Sequence, residues 1–226
     1  MKKLALLDFD NVIYKGHSVF DIIQYQEEIG LLDPEVLKKV TAQYKIYKAQ
    51  EATYTEAAGE ALNIWANGLT DITYHESLSS TEEYFSAHPE KFFSWFEKIL
   101  PELKVNYDIF IVSTNFQFTS ECVVERFGLD GYTSSIAEVV SGNFTGRVSK
   151  SLAGTKGEVA SFFHRYGHEG SLAVGDSEND IDMLELVEIP ICFEPNENLK
   201  EVAEKNGWVI VDENTMLEKF EALLKS

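Results

Sequence analysis

Residues 3–12 read Lys-Leu-Ala-Leu-Leu-Asp-Phe-Asp-Asn-Val. Leu4–Leu7 is an uninterrupted apolar run that stops at Asp8. A run of this length fits a strand buried on both faces of a parallel sheet. The form recurs: Ile109–Val112 stops at Ser113, Ser171–Val174 stops at Gly175-Asp176, and Ile189–Phe193 and Trp208–Val211 complete the series. Helical patterns are predicted at about 118–127, 155–166, 179–187, 197–206 and 214–225. Strand alternating with helix predicts an α/β class, a doubly wound parallel sheet. Ligands of such sheets bind beyond the carboxyl ends of the strands. Asp8, Ser113 and Asp176 therefore collect at one rim.

Residues 16–100 break the alternation. Leu37, Val40, Tyr44 and Tyr47 recur at helical spacing, as do Ala58, Ala61, Leu62 and Trp65, and Phe92, Phe93, Phe96 and Ile99. No strand is predicted there. The reading is a small helical domain (16–100) inserted into an α/β core formed by 1–15 and 101–226. Its aromatic residues are expected to form its own core, because amphipathic faces produce this spacing. Pro34 after Asp33, and Pro89 after His88, suit first turns of helices. Within 132–148, alternating Ser, Thr and Val with a Gly142-Asn143 turn predict a β-hairpin.

The chain has 226 residues, 44% hydrophobic and 25% charged, which is globular composition. Its 38 acids against 19 bases give a net charge of −19. That disfavours nucleic acid and anionic lipid as partners, since both are held by Lys/Arg clusters. Most of the acids read as a solvated surface. Cys122 and Cys192 support neither a disulfide framework nor a zinc pattern and read as small core residues. The Leu4–Leu7 run after Lys2-Lys3 is too short for an export signal, and no stretch approaches the ~20 apolar residues of a membrane span. A cytoplasmic protein is expected; oligomeric state is not legible.

Asp8-Phe9-Asp10 ends the first strand, so both carboxylates can reach one cavity. Acids this close repel and raise a pKa unless a cation intervenes. A hard divalent cation such as Mg²⁺ takes carboxylate oxygens. Gly175-Asp176-Ser177-Glu178-Asn179-Asp180 ends another strand, and Asp176 and Asp180 share a face if a helix begins there. Helix capping by Ser177 or Asn179 is the plain structural alternative. It explains one acid, not why two separate strands both end in paired acids. Ser113-Thr114-Asn115 offers hydroxyls and N–H groups for an anion. Lys156, at a helix N-terminus, opposes the dipole, and a bound anion would account for it. Lys150, in the loop after the hairpin, competes for that role.

In order, Asp8-x-Asp10-x-Val12, Ser113, Lys156 and Gly175-Asp176-Ser177-x-x-Asp180 resemble the four motifs of the haloacid dehalogenase superfamily. The helical insertion, Gly142–Gly146 and Gly175–Met183 resemble its phosphoserine phosphatase-like branch, subfamily IB with a C1-type helical cap. The resemblance covers the whole chain and implies a Rossmann-like core. It implies a Mg²⁺-dependent phosphatase acting on a small phosphomonoester. By resemblance Asp8 is the nucleophile that forms an aspartyl-phosphate, and Asp10 the acid and base. Ser113, Thr114 and Lys156 hold the phosphoryl group. Asp8, the Asp10 carbonyl and Asp176 bind the metal, with Asp180 behind them.

Tyr14, His17 and Asn179 are possible substrate contacts. Two features depart from the pattern. Many members carry Gly-Thr after the second Asp, where this chain has Asn11-Val12. The three arginines, Arg126, Arg147 and Arg165, all lie outside 16–100. A substrate carboxylate would have to meet Lys38, Lys39, Lys45 or Lys48, which disfavours phosphoserine. The alternatives are a phosphotransferase using the same intermediate, a dehalogenase acting at carbon, and a non-enzymatic phospho-ligand binding descendant. Asp10 and Asp176 argue against the dehalogenase, and the complete motif set against the descendant.

Overall fold

The computed structural model describes residues 2–224. Strand β1 (Lys3–Leu7) is central, pairing in parallel with β2 (Tyr107–Phe116) through Ala5↔Ile109 and with β5 (Leu172–Gly175) through Leu6↔Ala173. With β3 (Gly131–Val140), β4 (Asn143–Lys150), β6 (Ile189–Phe193) and β7 (Val209–Val211), these form one sheet ordered β4-β3-β2-β1-β5-β6-β7. Only the β3–β4 pair is antiparallel. Alternation along β1 separates two cores. Leu4 and Leu6 pack on one face with Met183, Leu184 and Leu199. Ala5 and Leu7 join the larger cluster on the other face.

Between β1 and β2 the chain forms α1 (Ser18–Glu28), α2 (Glu35–Lys48), α3 (Tyr54–Gly68), α4 (Tyr74–Ala87) and α5 (Ser94–Asn106). Thr53 and Thr73 each close a capping box with Glu56 and Glu76, which fixes where α3 and α4 begin. Helix α5 crosses residue 100 and packs with the sheet layer. Trp95 stacks on Phe220 of α10 (Met216–Leu224) at 5.7 Å, and Phe93 meets Phe193 of β6 edge-on at 5.0 Å. After β2 come α6 (Gln117–Phe127), α7 (Phe163–Tyr166), α8 (Ile181–Leu184) and α9 (Glu197–Asn206). Among the described residues no helix is long and apolar enough to cross a membrane. Both cysteines are buried and free, and burial pushes each thiol up to about 12.

Three local expectations are corrected. The hairpin turn lies one residue earlier than predicted. Ser141 and Gly142 take φ of 52° and 89°, and Val140 pairs with Asn143. A two-residue turn with both central residues at positive φ matches the twist of the strands it joins. The segments predicted as helices at 155–166 and 179–187 are mostly 3₁₀ turns, at Lys156–Phe162 and Glu178–Asp180, followed by the short α7 and α8. Gly157 and Ser161 are weak helix formers. Asp180 ties back to the N–H groups of Asp176 and Ser177, which keeps that turn tight. The helix predicted over 214–225 begins at Met216; residue 225 lies outside the described residues.

Candidate active site

Asp8 leaves the carboxyl end of β1, held by its N–H on the Val174 carbonyl of β5 at 2.9 Å. Its Oδ1 accepts from the Phe9 N–H at 2.7 Å and lies 2.7 Å from Lys156 Nζ. The same ammonium donates to Asp180 Oδ1 at 2.6 Å. Lys156 is 2% exposed, so this is a buried ion triad. Burial opposes its charge, but Asp180 and Asp8 outweigh it and raise its pKa. Lys150, the other lysine considered, pairs with Glu158 at 2.7 Å on the surface.

Asp180 Oδ2 accepts from the N–H groups of Asp176 (3.0 Å) and Ser177 (3.1 Å). This close return requires Gly175: a Cβ there would stand 2.6 Å from Asp180 Cγ. Asp176 is half-buried at the cavity edge, with the Asn11 side chain as hydrogen-bond donor. Asn11 sits at φ 57°, a left-handed position that asparagine tolerates without glycine.

Asp10 is oriented by two hydrogen bonds. Its Oδ1 accepts from the Ser18 N–H at 3.0 Å, and its Oδ2 from Asn115 Nδ2 at 3.2 Å. Asn115 Nδ2 also reaches Ser18 Oγ at 2.9 Å. Burial raises the pKa of Asp10, and His17, Ser18 and Asn115 oppose the rise. Asp8 is pushed up to about 7 by burial first and by the charge of Asp180 second, with Lys156 opposing. Asp176 is raised by burial, Asp180 and Asp8.

Asp8, Asp176 and Asp180 present carboxylate oxygens within 4.8 Å of one another. Together with Asp10 they set four acids against one buried ammonium, Lys156. An all-oxygen, acid-rich donor set held together with too little positive charge fits a hard divalent cation.

The site opens into a cavity of about 390 Å³. Asp8, Asp10, His17, Ser113, Thr114, Lys156 and Asp176 all line it. Asp180 lies beneath them, wholly buried. Two residues considered for substrate contact are not brought to it. Tyr14 is 0% exposed, with its ring against Phe9, Phe85 and Phe92 and its hydroxyl donating to Asp21 at 2.6 Å. It turns into the core because the chain after Asp10 folds back on Phe9, whose carbonyl accepts the Tyr14 N–H at 2.9 Å. Asn179 is a strut: its Nδ2 donates to Thr114 Oγ1 at 3.1 Å, and its Oδ1 accepts from the Gly154 N–H at 2.7 Å.

The far wall comes from α1, α2 and α3. Trp65, Phe92, Phe93 and Phe96 are buried, but not in a separate core of the insertion as expected. Trp65 meets Phe116, Phe93 meets Phe193 and Phe96 meets Phe127, so they share one core with the α/β part. Tyr44 and Tyr47 are not core residues at all. They are half-buried and line the cavity with Phe20 and Tyr54. Tyr47 donates to Glu178 Oε1 at 2.7 Å and Tyr54 to Thr114 Oγ1 at 3.3 Å, tying α2 and α3 to the strand-end loops. Helical spacing alone could not separate these tyrosines from core residues. Their hydroxyls, on an otherwise apolar face, were the available signal. Asn115 was legible only as part of a polar strand end.

Residues 5–185 match the family model for haloacid dehalogenase-like hydrolases. The phosphoserine phosphatase SerB1 of Mycobacterium tuberculosis is 31% identical over 107 residues, 45% of this chain and 34% of that protein. The chain thus spans about a third of that relative's length. A histidinol-phosphatase of Neisseria meningitidis is 23% identical over 94% of this chain and 99% of its own. A solved Bordetella pertussis protein of unknown function shares the fold at TM-score 0.77 and 20% identity, covering 94% of this chain and 99% of that one.

Proposed function

The chain belongs to the haloacid dehalogenase-like hydrolases, and on that premise we propose that it hydrolyses a small phosphomonoester through an aspartyl-phosphate on Asp8. The observation that carries the reading is the buried Lys156, shared between Asp8 at 2.7 Å and Asp180 at 2.6 Å on the floor of the cavity. An ammonium there both orients a carboxylate nucleophile and meets an incoming phosphoryl oxygen. Two of the relatives matched are themselves called phosphatases.

The hydrogen bond and ion pair of Asp8 both fall on Oδ1. Oδ2, which accepts none from the described residues, is the attacking oxygen. It bonds to phosphorus as the ester P–O bond breaks, and Asp10 gives its proton to the departing alkoxide. Asp10 then takes a proton from water, whose oxygen bonds to phosphorus as the aspartyl P–O bond breaks and phosphate leaves. A carboxyl raised by burial yet hydrogen-bonded to Ser18 and Asn115 suits both roles. Lys156 and Ser113 hold phosphoryl oxygens, with Thr114 beside them. Covalent catalysis divides one of the slowest uncatalysed reactions into two steps.

Asp8, the Asp10 carbonyl and Asp176 would hold a Mg²⁺, with Asp180 bracing Lys156 and the backbone behind it. When bound, the cation offsets the repulsion between the phosphoryl anion and these carboxylates. Helices α2 and α3 serve as the cap over the site, within the small domain at 16–100. Hydrolysis of p-nitrophenyl phosphate with and without Mg²⁺ tests the reading. Wild type should turn over many times and Asp8→Asn not at all, with unchanged circular dichroism. Wild-type rates in Asp8→Asn would remove Asp8 from the chemistry.

A further inference from the structure

We infer that the alcohol released by this enzyme carries an aromatic ring, or an apolar group of similar size, and no carboxylate. The inference deepens the phosphomonoester reading and rests on it.

The cavity is divided by chemistry. One end holds the acids, Lys156 and the strand-end hydroxyls. The other is walled by Phe20, Val40, Ala57, Ala61 and Leu62, all apolar, together with aromatic side chains. Those rings form a continuous run. His17 meets Tyr44 at 5.3 Å, Phe20 meets Tyr44 at 5.4 Å, Tyr44 meets Tyr47 at 6.5 Å, and Tyr47 meets Tyr54 at 5.8 Å. Three of these four contacts are edge-to-face, at interplanar angles of 61°, 72° and 84°. Rings so arranged favour a further ring, and each such pair adds to the area it buries.

Charge points the same way. Beyond Lys156, Lys48 is the one lysine lining the cavity among the described residues, and no arginine lines it. Lys48 is exposed, and its ammonium lies over the rings of Tyr44 and Tyr47 at 5.5 and 5.7 Å. Among the described residues, the one further charged group lining the cavity outside the acid cluster, Glu194 just after β6, is an exposed acid. A leaving group bearing a carboxylate would place it against an apolar wall with no buried cation, which is strongly unfavourable. A ring has the opposite preference. The volume of about 390 Å³ is that of a small-molecule site rather than a slot for phosphate alone.

Binding of non-hydrolysable phosphonates to the full chain with Mg²⁺, followed by calorimetry, tests this. 3-Phenylpropylphosphonate should bind about tenfold or more tighter than propylphosphonate and than 2-amino-4-phosphonobutyrate, as expected for burial of one ring. Tyr44→Ala should cut that ratio at least about threefold. Phe20→Leu, which keeps apolar volume but removes a ring, should cut it too and stands in if Tyr44→Ala fails to fold. Equal or tighter binding of the aminophosphonobutyrate overturns the inference, as does a ratio that neither substitution moves. Phenyl preference without any phosphatase turnover would refute the hydrolase reading alone. Turnover of small phosphomonoesters without phenyl preference would refute this inference alone.

Discussion

Asn115 Nδ2 donates to Asp10 Oδ2 at 3.2 Å, joining the ends of two neighbouring strands across 105 positions of sequence. The same amide holds Ser18 Oγ at 2.9 Å, and Ser18 N–H completes the grip on Asp10 at 3.0 Å. Asp10 thus reaches the cavity with its direction set from outside its own loop.

Asn115 is therefore a positioning residue, and Asn115→Ala should lower kcat about tenfold to hundredfold, inside the range that general acid–base catalysis supplies. The lost donor favours the charged form of Asp10, so its pKa should rise and the matching limb of the pH–rate profile should move to higher pH. A merely structural role would lower the rate without moving that limb.

Without metal, Asp8 is raised from the usual 3.8 to about 7 by burial and the charge of Asp180. Between these values the folded protein keeps a proton that the unfolded chain has released. Stability that Asp8 contributes below the lower value is lost as pH rises through the higher one. Chelator-treated protein should therefore melt at a lower temperature at about pH 7.5 than at about pH 5. Mg²⁺ should restore the melting temperature at the higher pH, and Asp8→Asn should flatten the slope. A flat wild-type profile in chelator would contradict this account.

Lys156→Met should destabilise the protein by about 3–5 kcal/mol, because it strands two buried carboxylates opposite one another. The loss, read from urea unfolding, should shrink toward low pH, where protonation removes the repulsion. Equal destabilisation at both pH extremes would point to packing alone.

Gly175→Ala places a methyl group 2.6 Å from Asp180 Cγ, so Asp180 must shift. The expected cost is about 1–3 kcal/mol. Mg²⁺ affinity should fall with it, since Asp180 braces the Asp176 N–H; calorimetric titration of Mg²⁺ measures the change. Unchanged stability and affinity would show that the turn adapts freely.

The order of elements was legible because its signals are local. Leu4–Leu7, Ile109–Val112 and Ser171–Val174 are apolar runs ending in polar residues, and such runs identify buried parallel strands within a few residues of sequence. The helical insertion likewise followed from spacing alone. Local signals also misled. Gly142-Asn143 resembles a turn, yet Ser141 takes the first positive-φ position, because strand register and not dipeptide preference places it.

Sequence alone determined that acids would gather where the strands end, since a parallel sheet puts all its carboxyl ends on one rim. Which polar groups answer them was decided by packing between distant segments. By sequence Lys156 is the preferred lysine and Lys150 its competitor; the fold buries the first between Asp8 and Asp180 and leaves the second with Glu158. Tyr14, just past the first motif, reads as a possible substrate contact, and Tyr44, in the helical insertion, reads as a core residue. One sinks among Phe9, Phe85 and Phe92, and the other faces the cavity from α2. Periodicity records that a side chain leaves water. It carries no record of which surface, core or cavity, receives it, because that depends on contacts between residues far apart in the chain.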